Sequence, residues 1–373
     1  MFKRIISFCT VIIIVFALSG CAAIFSNTYQ SEQDFQGNEK IELDDNIHVV
    51  QNYSELRRLV FGMVNSHEAS REVVFSGYTG NAVTDIAAVC NAVKTESSYG
   101  AYCVEYISYD LRQIVSSYEA KINISYLYSK DELSILQTTS NHDELSKIVS
   151  ATLGKNEPKL VVRVNNGTAD EAALTEFLDR TILNDPMAIS YIPKFSVKVF
   201  DGNSSQKIYD ISFQYDESID NLKRLKEMEA VLKQCTAKIT QGDDGGKILS
   251  AANHLNSHFN FFTDGGDTAY HALIEASANS RGISCAFKAL CDRLNIECMI
   301  VDGRFDKQEH FWNIVKIDDA YYHVDISYMN TLGAEQTMFL TDSERQVSCW
   351  WNQSAYPACE GSLTYQDVIS QNK

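Results

Sequence analysis

The sequence predicts an α+β chain in which two small strand–helix modules of similar design precede a C-terminal domain of helices and antiparallel strands. Three observations carry this. Short matches recur at an offset of 87 residues, Val73-Val74-Phe75 on Leu160-Val161-Val162 and "ISYLY" from Ile124 on "ISFQY" from Ile211. Helical periodicity runs through Ile248, Ala252, Leu255 and Phe259. The stretch "HFWNIVKIDDAYYHVDISY" alternates as two strands do, with Asp318-Asp319 as a two-residue turn. A chain of 373 residues with 45% apolar side chains is long enough for two or three domains and can furnish their cores.

At the N-terminus, Lys3 and Arg4 precede an apolar run from Ile5 to Leu18 that ends in Leu18-Ser19-Gly20-Cys21. Residues 1–20 resemble a bacterial lipoprotein signal peptide. That resemblance implies a lipid on Cys21, anchoring an extracytoplasmic protein to the bacterial cell membrane. The run falls short of the ~20 residues needed to span a bilayer. Removing residues 1–20 takes away two basic residues and no acid, moving the net charge from −17 to −19. So acidic a chain is a poor partner for nucleic acid. Residues 21–65 are polar and weakly patterned, as in "SNTYQSEQDFQGNEKIELDDN", and are expected to form a tether, helical at most near its end.

The modules are expected over 66–155 and 156–240. Each reads strand, amphipathic helix, strand, strand, with Ile86, Cys90 and Val93 sharing one helix face in the first and Leu174, Phe177 and Leu178 in the second. Helices near 142–154 and 218–240 are expected to close the two copies. Nothing in them has catalytic spacing.

Of ten cysteines, Cys9 falls in the signal and Cys21 takes the lipid, leaving eight dispersed ones. No short C-x-x-C pair suggests a metal. Cys349 and Cys359 either bridge in an oxidising compartment or stay as free buried thiols. Clustered acids of calcium-loop spacing are absent, and "DDGG" at 243–246 reads as a turn, so no cofactor is indicated.

The C-terminal domain is expected over 241–373. If Ile317 and Ala320 flank the hairpin turn, Trp312 lies opposite Asp325 and His310 opposite Ser327. His310 and Asp325 are then diagonal neighbours on one face, ~7–8 Å apart between α-carbons and within reach of an imidazole–carboxylate hydrogen bond. A carboxylate on one ring nitrogen orients the ring and leaves the other nitrogen to handle a nucleophile's proton. His323 shares that face and reads as filler.

The segments "TAYHALIEASANSRGISCAF", "HFWNIV", "YYHVDIS", "MFLTDSE" and "WWNQSAYPAC" resemble, in that order, motifs of the transglutaminase-like superfamily over roughly residues 240–360. The resemblance implies a papain-like fold in which a nucleophilic cysteine opens a helix packed on the sheet that bears histidine and aspartate. Thr268, Ala269, Tyr270, Ala272, Leu273, Glu275, Ala278, Gly282, Ala286 and Phe287 fall on the family pattern without a gap. His310 and Asp325 match the family's histidine and aspartate, and Ser280 stands where it has its cysteine.

Helical geometry gives a separate test of that assignment. At ~100° per residue Ser280, Ile283, Ser284, Phe287, Leu290, Cys291 and Leu294 share one arc, while Cys285 falls with Arg281, Lys288 and Asp292. Cys285 is therefore expected to point away from the sheet, although a shifted register would make it the nucleophile. A serine hydroxyl cannot rest ionised as a helix-terminal thiolate can, so reduced or absent activity is expected, with the Ser280 oxygen capping backbone amides. Two functions follow. One is a binding module for peptide, protein or cell-wall ligands. The other is an active amide-bond enzyme, a peptidase, amidase or cross-linking transglutaminase, that uses Ser280 or Cys285 with His310 and Asp325.

Overall fold

A computed structural model describes residues 47–134, 136–202, 205–239 and 242–371; the expected signal, Cys21 and the start of the tether lie outside them. Ordered structure begins before residue 66. Strand β1 (Ile47–Asn52) runs into helix α1 (Tyr53–Ser66), which the Asn52 side chain caps by accepting from Glu55 N at 3.0 Å. The Glu55 carboxylate returns the contact to Gln51 N and to Asn52 Nδ2. A cap of this kind is worth ~1 kcal/mol, and burial of Leu56, Leu59, Val60, Met63 and Val64 adds more. The tether expected over 21–65 is thus folded from Ile47 onward, because apolar residues at spacings of three and four give that stretch a face to bury.

Then come β2 (Ser70–Thr79), α2 (Ala82–Glu96), α3 (Ser98–Cys103), β3 (Val104–Ile114) and β4 (Ser117–Tyr126). The sheet order is β1-β2-β4-β3, with β1 and β2 parallel and the other pairs antiparallel. After a short helix α4 (Lys130–Ser134), the same design recurs as β5 (Gln137–Thr139), α5 (His142–Gly154), β6 (Lys159–Asn165), α6 (Glu171–Asn184), β7 (Lys194–Phe200) and β8 (Gln206–Gln214). Its order is β5-β6-β8-β7, with β5 and β6 parallel. The 87-residue offset therefore connects equivalent strands, β2 with β6 and β4 with β8.

The phase of the repeat differs from the expected one. Parallel neighbours need a crossover connection, and α5 is the crossover from β5 to β6, so it opens the second copy and does not close the first. Its Leu145, Val149 and Leu153 pack with Leu174, Leu178 and Ile211 of the second module. Helix α7 (Asn221–Thr236), expected to close the second copy, instead buries Met228, Leu232 and Cys235 in the C-terminal core.

In that core, α8 (Asp244–His258) begins within the "DDGG" segment. Asp243 is its N-cap, accepting from Gly246 N at 2.7 Å, so the segment starts a helix where a turn was expected. Strand β9 (Asn260–Gly266), α9 (Ala269–Leu273), β10 (Ser277–Ala278) and α10 (Ser280–Arg293) follow. Strands β11 (Cys298–Phe305), β12 (Gln308–Ile317), β13 (Ala320–Val324), β14 (Met338–Leu340) and β15 (Cys349–Trp351) form one antiparallel sheet ordered β14-β13-β12-β11-β15. Helix α10 lies against β11 and β12 on one side and against α7, α8 and α9 on the other, so every residue from Gly282 to Cys291 is buried.

Because α7 covers one side of this core, a fragment beginning near residue 216 should be clearly more stable than one beginning at 241. Loss of buried Met228 and Leu232 alone should cost several kcal/mol, at about 2–5 kcal/mol for each large aliphatic side chain. Equal denaturation midpoints for the two fragments would place α7 outside the domain.

Candidate active site

Helix α10 starts at Ser280 because Asn279 caps it, accepting from Gly282 N at 3.1 Å. Glycine at 282 is required by space: a Cβ there would stand 2.5 Å from Gly266 O and 3.0 Å from Thr268 O. Ser280 itself does not cap the helix, contrary to expectation. Its Oγ accepts from the amide of Phe311 on β12 at 3.2 Å and is 7% exposed.

The β12–β13 hairpin pairs Ile317 with Ala320 and Asn313 with Val324, the register implied by a turn at Asp318-Asp319, with Asp318 in the left-handed region. Phe311 and Asn313 face α10, where Asn313 Nδ2 donates to Ser284 O at 3.1 Å. His310, Trp312 and Ile314 take the opposite face. Just past the ladder, Asp325 N donates to Thr337 O, and Asp325 Oδ2 lies 2.7 Å from His310 Nε2. The structure thus joins His310 and Asp325 and brings Ser280 to the adjacent backbone. Among the described residues no hydrogen bond links Ser280 to the imidazole.

Asp325 has a second partner that the sequence did not reveal. Arg345, from α12 (Asp342–Arg345), donates Nη2 to the same Oδ2 at 2.5 Å, while Ser327 N donates to Oδ1. Arg345 is 2% exposed and Asp325 1%, so a complete ion pair is buried beside the histidine. Burial alone would push the Asp325 carboxyl up; the Arg345 charge and the His310 contact reverse this and hold it well below the usual carboxylate range. The guanidinium also lies over Trp312, 4.6 Å from the ring centroid. Because Nε2 of His310 is engaged by the carboxylate, Nδ1 is the nitrogen left for proton transfer. The ring is packed among Phe305, Trp312 and Tyr328.

Cys285 is not at this site. It is 5% exposed, and burial pushes its thiol up to about 12, with Arg281 and Lys288 opposing only part of the shift. It does not lie on a solvated arc, because α7, α8 and α9 cover the side of α10 that faces away from the sheet. No hydrogen bond connects it to an imidazole among the described residues. Cys349 and Cys359 are separate free thiols in one apolar cluster and do not bridge.

His323 is more than filler. Trp312 Nε1 donates to its Nδ1 at 2.8 Å, and its Nε2 lies 2.9 Å from Asp342 Oδ1. His323, Asp342 and Cys359 bring three ligand-type atoms within 4.8 Å of one another. An indole N–H only donates, so the neutral ring keeps its proton on Nε2 and gives it to Asp342. A metal at Nε2 would need a ring stripped of both protons, or loss of the buried indole bond. This donor set fits a hydrogen-bonded support, not a metal centre.

Beyond Phe305, the edge strand β15 and the β11–β12 turn enclose a groove of about 490 Å³ lined by Arg304, Asp306, Lys307, Val347, Cys349 and Trp350. Phe305 pairs with Cys349 across the ladder and stacks on Tyr328 at 4.4 Å, which sets the groove behind the aromatic wall of His310. Trp350 and Val347 are 67% and 87% exposed. Asp306 and Lys307 both have positive φ, as a two-residue type I′ turn demands; glycine is the usual second residue there.

No family model and no curated protein matches the chain. Among solved structures it is similar to a transglutaminase (TGase), at 13% identity and TM-score 0.26 over 51% of this chain and 58% of that one. It is also similar to a candidate cysteine protease from Cytophaga hutchinsonii, at 12% identity and TM-score 0.25 over 37% of this chain and 65% of that one. The chain spans less than two thirds of either structure, and overlap at that level carries no inference about its site.

The His323 relay has a pH signature. Burial first, and then the Arg345 charge, lower the His323 imidazole to about 4 although Asp342 opposes them. The unfolded ring titrates near 6.5, so between about 6.5 and 4 the unfolded state binds more protons and stability falls as pH is lowered. The loss should approach the order of 3 kcal/mol. Urea midpoints taken through this window should show a shallower slope in His323→Gln, and an unchanged slope would mean that the ring titrates normally.

Proposed function

We propose that this protein is a lipid-anchored, extracytoplasmic lipoprotein whose C-terminal domain is a transglutaminase-like module that binds a peptide, protein or cell-wall ligand with little or no turnover. The anchor is the lipid expected on Cys21, and the groove bounded by Arg304, Lys307 and Trp350 is the seat for the ligand. One observation carries the reading: the nucleophile's place holds Ser280, whose oxygen accepts the Phe311 amide and makes no hydrogen bond to His310. A hydroxyl must lose its proton during attack, which requires a base in hydrogen-bond reach at the moment of reaction.

A second reading, an amide-bond hydrolase or acyltransferase using Ser280, is favoured by the His310–Asp325 bond. That bond holds the ring with Nδ1 unengaged, the arrangement a general base needs. Cys285 has no part in either reading, since its buried thiol lacks a base.

The two readings separate on one substitution. Wild-type protein should release no ammonia from a glutamine-containing peptide and should resist a fluorophosphonate probe, while Ser280→Cys should gain a thiol that alkylates faster than any of the eight buried native thiols. His310→Ala should remove most of that gain. Fluorophosphonate labelling of wild type that is lost in Ser280→Ala would establish the enzyme reading instead. The anchor is checked separately: cells fed labelled fatty acid should label the wild type but not Cys21→Ser, and label retained in the variant would remove the lipid from Cys21.

A further inference from the structure

Outside the site described above, α7 and α8 bring a thiol and two imidazoles together. Cys235 Sγ lies 2.9 Å from His254 Nε2. One turn further along α8, the His258 ring stands 4.1 Å from that of His254. Histidines at i and i+4 share one helix face, a spacing that suits two ligands to one ion. Cys235 is 6% exposed, His254 is half-buried and His258 is exposed, so the cluster opens to solvent on one side.

The tautomers suit a metal here, unlike those at His323. His258 Nδ1 lies 2.7 Å from His254 O, and a carbonyl only accepts, so Nδ1 carries the proton and the Nε2 lone pair is left free. Metal-binding histidines are commonly oriented by donating their other nitrogen to a backbone carbonyl in this way. In a tetrahedral zinc site, Zn–S near 2.3 Å and Zn–N near 2.0–2.1 Å put sulfur and nitrogen about 3.6 Å apart. The present 2.9 Å contact would have to open by only a few tenths of an ångström. His258 must turn its exposed ring to complete the set.

We propose that Cys235, His254 and His258 form a site for a divalent transition ion of the zinc class, with water in the fourth position. The Cys235 S–H bond breaks, its proton leaves to solvent, and the thiolate takes up the metal; neither partner changes oxidation state. Bound there, the ion would tie α7, which leads out of the second module, to α8 of the C-terminal domain. Lys238, whose charge bears on both Cys235 and His254, opposes the ion, so Lys238→Ala should tighten binding.

Co²⁺ titrated into the full chain tests this, because a thiolate ligand gives a sulfur-to-cobalt charge-transfer band and four-coordination gives intense visible bands. One equivalent should bind with both features and be displaced by Zn²⁺. Cys235→Ser should abolish the charge-transfer band. His258→Ala, a surface change that leaves the core alone, should weaken Co²⁺ binding at least about tenfold. The proposal is overturned if the charge-transfer band never forms, or if His258→Ala binds as wild type does. It is equally overturned if the band survives Cys235→Ser and disappears in Cys359→Ser, which would move the ion to the His323 cluster. Should Cys235→Ser fail to fold, weakened Co²⁺ binding in both His254→Ala and His258→Ala supports the site, and unchanged binding in either overturns it.

Discussion

A buried carboxylate is the constraint on which the C-terminal domain depends. An ion removed from water at the Asp325 position would cost several kcal/mol unless charge and hydrogen bonds replaced its hydration. Arg345 brings the charge, His310 and the Ser327 amide bring further hydrogen bonds, and all of these groups are buried. Satisfying Asp325 therefore fixes three things together: where β13 ends, where α12 begins after β14, and how the His310 ring is turned. The β12–β13 register is a condition of this arrangement, because a slip of one residue would send His310 to the face occupied by α10.

Around that ion pair the sheet carries two polar chains on one face. The first runs from His310 to Asp325 and Arg345, the second from Trp312 through His323 to Asp342, whose other oxygen receives the Cys359 amide. Trp312 joins them, since its ring lies under the Arg345 guanidinium while its N–H fixes the His323 tautomer. The second chain is scaffold for the first: it holds α12 and the 359 segment against β13. On the other face, Ser280 meets β12 through a backbone amide. The imidazole is thus oriented independently of any nucleophile, which is why the pair is retained as structure whether or not the site turns over a substrate.

The site is legible in sequence where the cause is local. His310 and Asp325 lie close together in the chain, and a two-residue turn is enough to set their register. Ser280 can be placed at the start of α10 from helical phase. Arg345 escapes, although "MFLTDSE" stops one residue short of it, because its partner is reached only after β14 pairs with β13. The arc of Cys285 looks polar as long as α7 and α9 are not known to pack there; Lys288 is itself buried, with its ammonium drawn to Asp292. The repeat offset matches the structure and its phase does not. Amphipathic spacing shows that α5 and α7 have a face to bury and cannot say which neighbour buries it. The "DDGG" segment reads as a turn because glycine weakens a helix, yet Gly245 lies in the first turn of α8, where helix α13 (Tyr365–Gln371) packs closely enough that a Cβ would meet Val368 at 3.2 Å.

The most direct test of the central ion pair is a double-mutant cycle on Asp325 and Arg345, read by urea denaturation near neutral pH. Arg345→Met and Asp325→Asn should each cost about 3–5 kcal/mol, because each leaves a buried group without its partner. The double variant should cost clearly less than the sum, giving a coupling of roughly 1.5–3 kcal/mol. Additive losses, or an Arg345→Met protein as stable as wild type, would contradict the account, since Asp325 would then be held by something other than the guanidinium.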